Sequence, residues 1–99
     1  MTLTKTPNLS KLYRLQWEKS QDAFVLLYPE GMVKLNASAG EILSRVDGIK
    51  SVAVIISEIE EKFGLSNLSD DVVSFIGLAV EQGWVDLEGK NNLVQLQAR

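Results

Sequence analysis

Tyr13, Leu15 and Trp17 alternate with Arg14 and Gln16, the two-residue period of a half-buried strand. The polar run EKSQD then reads as a turn, and the segment Ala23–Tyr28 follows as a second strand, AFVLLY. It is apolar on both faces, which suits the middle of a sheet better than its edge. Pro29-Glu30-Gly31 reads as a three-residue hairpin loop, with Pro presetting φ and Gly accepting a positive φ, and residues 32–35 as the third strand. From here the period changes. Asn36 has the character of an N-cap, and Ala39, Ile42, Leu43 and Val46 follow at helical spacing, stopped by Asp47-Gly48. Ser51 caps a second helix with the stripe Val52, Ile55, Ile56, Ile59 and Phe63, ended by Gly64. Ser69 is expected to cap a third, with Asp70 and Asp71 at its positive end, Val72, Phe75, Ile76 and Ala79 toward the core, and Gly83 as its stop. Trp84, Val85, Asp86 and Leu87 form a short extended closing segment.

Strands followed by helices predict an α+β domain: a three-stranded antiparallel meander followed by three helices, close in topology to a winged helix-turn-helix. Residues 1–10 carry few apolar positions and are expected to form a flexible N-terminal arm. Residues 11–87 form the domain, and residues 88–99 are a tail of uncertain order. In a meander the second strand is central. The third strand, with Met32, Val33, Lys34 and Leu35, is therefore a free edge. A tight turn before it and a helix start directly after it hold that edge rigid, so its unpaired N–H and C=O groups are presented in fixed positions.

Composition narrows what such a domain does. At 99 residues, 45% hydrophobic and 23% charged, the chain falls in the range of single globular domains. It contains no Cys and no His, which removes thiolate nucleophiles, imidazole bases, disulfides and zinc clusters. No cofactor is expected. The N-terminus lacks the apolar stretch of a signal peptide and no run approaches membrane-spanning length, so a cytoplasmic location and no membrane association are expected. Ten basic residues against thirteen acidic ones give a net charge of −3, with no basic run to track phosphates. A winged helix can bind DNA, but the third helix here opens with two carboxylates and contains no Lys or Arg, so no nucleic-acid partner is expected. The carboxylate pairs Glu58 with Glu61 and Asp70 with Asp71 lack an adjacent apolar cleft to split their pKa values, which argues against an enzyme. Winged-helix DNA binding and a generic protein-interaction module are the alternative readings that the residues leave open.

The spaced set Leu26-Leu27-Tyr28-Pro29-Glu30-Gly31, Leu35-Asn36, Ala39, Ile42-Leu43, Asp47-Gly48 and Gly83-Trp84, with Arg14-Leu15-Gln16-Trp17 upstream, closely resembles the pyrroloquinoline quinone biosynthesis protein D (PqqD) family. The resemblance spans roughly residues 9–85 and leaves the loop at residues 64–68 and the tail unassigned. It implies a non-catalytic peptide chaperone, a RiPP recognition element. Such a domain binds the ribosomal precursor peptide PqqA and presents it to PqqE, the radical S-adenosylmethionine enzyme that crosslinks a Glu and a Tyr of that peptide. Related recognition elements take their peptide as an added strand on the third strand, in the cleft between it and the third helix.

On that helix Val73, Gly77 and Val80 form a second, smaller apolar face, flanked by Leu78 and ending near Trp84. The resemblance makes them the cleft wall, with Gly77 as a notch. Read from the residues alone, Val73 and Val80 also fit a broad core stripe, and Gly77 also fits close packing by a neighbouring helix. Glu58, Glu60 and Glu61 read either as a solvated face or as a docking surface for a basic partner, and Asp47-Gly48 as a simple helix stop. With an open edge and a loose arm, the chain is expected to be a monomer or a strand-exchanged dimer.

Overall fold

The computed structural model describes residues 3–87. Its elements are β1 (Asn8–Leu9), β2 (Arg14–Glu18), β3 (Ala23–Tyr28), β4 (Gly31–Lys34), α1 (Ala37–Leu43), α2 (Val52–Phe63), α3 (Ser69–Glu81) and β5 (Val85–Asp86). Strands β2, β3 and β4 form an antiparallel sheet in that order, and β1 pairs with β5 in a separate two-stranded sheet. This is the expected meander followed by three helices.

The sheet register explains why β3 is apolar throughout. Leu15, Leu26 and Val33 lie side by side on the face that meets the helices, and Trp17 and Phe24 make the next row. Leu26 and Val25 are both fully buried although they point to opposite faces, Val25 having Gln16 and Lys34 as its cross-strand neighbours. Under the sheet, Ile42 and Leu43 of α1, Val52, Ile55 and Ile59 of α2, and Val72, Ile76 and Ala79 of α3 close one continuous core with Val85. Gly40 brings α1 against β3. A Cβ there would stand 2.7 Å from Phe24 Cδ2, a separation that real side chains do not tolerate.

Helix ends follow local chemistry, with departures from expectation. Asn36 Oδ1 accepts from the Ala39 N–H at 2.8 Å and Ser51 Oγ from the Val54 N–H at 3.2 Å, as N-caps do. Helix α2 ends at Gly64 in the left-handed region (φ 65°). Helix α1 is shorter than its apolar spacing predicts: after Leu43 the chain continues as tight turns, Arg45 N–H to Ile42 O and Val46 N–H to Leu43 O. Val46 is buried all the same. Ser69 is not the cap of α3 but its first residue. Leu68 holds the cap position, and its N–H donates across to Glu60 Oε2 at 3.0 Å, a long-range contact with no local sequence signal. Gly31 belongs to β4 in extended conformation, and the β3–β4 loop is only Pro29-Glu30, since Tyr28 already pairs with Gly31.

The largest difference lies at the N-terminus, where residues 3–10 are tied into the fold rather than forming an arm. Lys5 O accepts from the Val52 N–H and Leu3 O from the Ala53 N–H, both at 2.9 Å. These are the first two donors of α2, which have no partner within the helix. With Ser51 receiving the third, the N-terminal segment completes the helix cap. Further along, Pro7 is fully buried, its O accepts from the Gly48 N–H, and the Ser10 N–H donates to Trp84 O. The segment satisfies backbone groups that lie far away in sequence, which composition cannot reveal. Expectations for residues 1–2 and 88–99 fall outside the described residues.

Candidate binding edge

One hydrogen bond sets the parity of the β4 edge. The Leu35 N–H donates to Phe24 O at 3.0 Å, and the register Val25 with Lys34 places Leu35 opposite Phe24. Opposed residues in an antiparallel pair alternate between bonded and non-bonded positions. Val33 therefore exchanges its bonds with Leu26, whereas Met32 and Lys34 turn their N–H and C=O groups toward the outer side. The side chains follow the same alternation: Val33 and Leu35 face the core, the latter buried, while Met32 is 55% exposed and Lys34 is exposed. Of the four strand residues expected in the site, two can offer backbone pairing and the other two anchor the strand.

The opposite edge obeys the same rule. With Leu26 committed to β4, Leu27 and Val25 bond to Arg14 and Gln16, so Leu15 and Trp17 direct their backbone groups outward from β2. Trp17 is half exposed, its ring edge-on to Phe24 at a centroid separation of 5.0 Å.

On α3, Val73 and Val80 are half-buried and pack against the core, so this face is continuous with the main stripe and not a separate one. Gly77 is half-buried between them, and Leu78 is exposed. The helix packs chiefly on α2 and β5. Phe63, expected in the core stripe of α2, is 39% exposed because it lies at the end of its helix, where it lines a groove with Leu65 and Leu68. That groove was not legible beforehand: Leu65 and Leu68 sit in a short linker without periodicity.

Ion pairs link the helices and the loop after α1. Arg45 bridges Glu41 at 2.8 Å and Glu58 at 3.1 Å, joining α1 to α2, so Glu58 acts in a structural pair. Asp47 does more than stop a helix. Its Oδ1 accepts from the N–H groups of Ile49 and Lys50, and its Oδ2 lies 3.3 Å from Lys50 Nζ. The Lys50 backbone bond first, then that of Ile49, holds its carboxyl at about 2, below the ordinary 3.8. Among the described residues no group of His, Cys, Asp and Glu side chains is arranged to hold a metal ion, and no helix is long and apolar enough to cross a membrane.

A three-stranded antiparallel sheet with an open edge, followed by three helices, defines an α+β domain. The sequence profile of "Coenzyme PQQ synthesis protein D (PqqD)" matches residues 23–85. A protein of Azotobacter vinelandii named "PqqA binding protein" is 47% identical over 87 residues, covering 87% of this chain and 95% of its own. A protein of the same name from Pseudomonas aeruginosa is 46% identical over 88 residues, covering 88% and 96%. These relatives are named as binding proteins, not enzymes. The chain belongs to the PqqD family. Its fold is that of the solution NMR structure of the PqqD truncation of Methylobacterium extorquens PqqCD, described as a functional and stand-alone RiPP recognition element. The TM-score is 0.67 at 22% identity, over 81% of this chain and 87% of that one.

Proposed function

We propose that this protein binds the precursor peptide PqqA by adding it as a strand to the outer edge of β4, and that it presents the bound peptide to PqqE. The observation that carries this reading is the alternation at Met32 and Lys34. Their two N–H and two C=O groups face outward on a strand whose intervening residue, Val33, is locked to Leu26. Each backbone bond contributes about 1 kcal/mol net, and such bonds give affinity without regard to peptide sequence. Selectivity then comes from side chains beside the edge, for which Val73, Gly77 and Val80 of α3 are the proposed wall. Family membership and the name shared by the relatives support PqqA as the partner. PqqE enters through the family resemblance, and the domain itself performs no chemistry.

Calorimetry of the full chain with synthetic PqqA and, separately, with duplex DNA at physiological salt tests the partner. Saturable peptide binding without DNA binding is the expected result. DNA binding with no response to the peptide overturns it. Gly77→Leu tests the wall: it is expected to weaken the peptide while leaving thermal stability near wild type, and a large loss of stability would return Gly77 to the core.

A further inference from the structure

The corner between α2 and α3 holds an apolar groove of about 320 Å³, lined by Ile59, Phe63, Leu65, Leu68 and Val72 together with Ser38 and Asp71. Leu65 is 59% exposed, and in a domain of this size an open apolar groove is surface that gains by being covered. The Lys34 end of the proposed strand-pairing edge leads toward it, since Ser38, in the lining, follows Lys34 across the Asn36 cap. Asp71 puts a carboxylate in the lining, Glu60 lies beside it on the Leu68 N–H, and Lys62 turns its Nζ to Glu41 Oε2 at 4.0 Å. An occupant therefore needs an apolar side chain with a cation beside it.

We infer that this groove receives an apolar side chain from the stretch of precursor peptide that leaves the edge strand at its Lys34 end, with a neighbouring Lys or Arg of the peptide meeting Asp71. The inference rests on the peptide-binding reading above and adds a second contact that selects among peptides the edge alone would accept. Strand pairing fixes the register, and the groove then reads one position outside the paired stretch.

The test is calorimetry of the full chain with PqqA and with PqqA trimmed stepwise from either end, comparing wild type, Leu65→Asp and Asp71→Asn. Leu65→Asp is expected to weaken the intact peptide at least tenfold with an unchanged melting temperature. Trimming from one end is expected to weaken wild type by the same factor and to erase its advantage over Leu65→Asp. Asp71→Asn should weaken binding several-fold, with no effect once the peptide's flanking Lys or Arg is replaced by norleucine. Intact peptide that binds wild type and Leu65→Asp equally overturns the groove and leaves the edge standing. A loss explained by dimer dissociation in sedimentation assigns the groove to a second copy, and one that disappears when residues 88–99 are removed assigns it to that segment; either result overturns the inference. If PqqA fails to bind wild type at all, the peptide-binding reading falls and the groove with it.

Discussion

Two extended stretches of this chain meet opposite fates. Residues 3–10 give up their backbone groups to distant partners: to the first turn of α2, to Gly48, to Trp84 and, through β1, to β5. Strand β4, equally extended, satisfies only its inner side and leaves Met32 and Lys34 facing out. The contrast shows that the fold can close a strand edge when it has chain to spend there. The edge left open is flanked by a two-residue turn and a capped helix that keep it straight, the condition under which an edge serves as a template for another chain.

Removing the first nine residues is the most severe way to break this contrast. It strips two donors of α2 of their acceptors, deletes β1 and exposes the site of buried Pro7. Urea unfolding is expected to show a loss of about 4 kcal/mol, given roughly 1 kcal/mol for each backbone bond. A truncated chain of wild-type stability would mean that the segment is only laid on the surface.

Proline separates the inner from the outer side of β4. Val33→Pro removes a donor used in the ladder and is expected to cost about 3 kcal/mol or more. Lys34→Pro removes only an outward donor, so stability should change by less than about 1 kcal/mol while peptide affinity falls about fivefold, the loss of one bond of about 1 kcal/mol. Equal destabilisation by the two variants would contradict the assigned parity.

Gly40→Ala sharpens the comparison by testing what holds the sheet in place. Alanine is the better helix former by about 1 kcal/mol, yet its Cβ would collide with Phe24. A net loss of about 1–3 kcal/mol is expected, as for overpacking. A stabilised variant would show that α1 can retreat from β3 without penalty.

The smallest effect concerns Asp47, which forms an isolated bridge with Asn8 at the tied end. Its carboxyl pKa is lowered from 3.8 to about 2 in the fold. Between those values the unfolded chain binds more protons, so stability rises with pH there. The contribution is complete above about pH 4 and fades as pH falls toward 2. Asp47→Asn should therefore flatten that part of the pH–stability curve, and carbon-detected NMR titration should place the group near 2.

Much of the fold was legible because periodicity reports burial. The doubly apolar β3 marked itself as central, and the stripes of α2 and α3 named Val52, Ile55, Ile59, Val72, Ile76 and Ala79, all of which are buried. What escaped was non-local. The role of Leu3 and Lys5 is played by their carbonyls, which carry no residue signature. Glu60 closes the cap of Leu68 from eight residues away, and Gly40 is explained only by the ring of Phe24. The edge strand itself was predictable, but which of Val33 and Lys34 faces outward depends on a single pairing choice that alternation in the sequence leaves open.

Amide hydrogen exchange at the two edges, with and without saturating PqqA, tests the central claim most directly. In the free protein Val33 and Leu35 should be protected, while Met32 and Lys34 exchange rapidly, as should Leu15 and Trp17 on β2. With peptide bound, Met32 and Lys34 should become protected and Leu15 and Trp17 remain unchanged. Peptide that binds while Met32 and Lys34 stay unprotected, or that protects Leu15 and Trp17 instead, would contradict strand addition on β4.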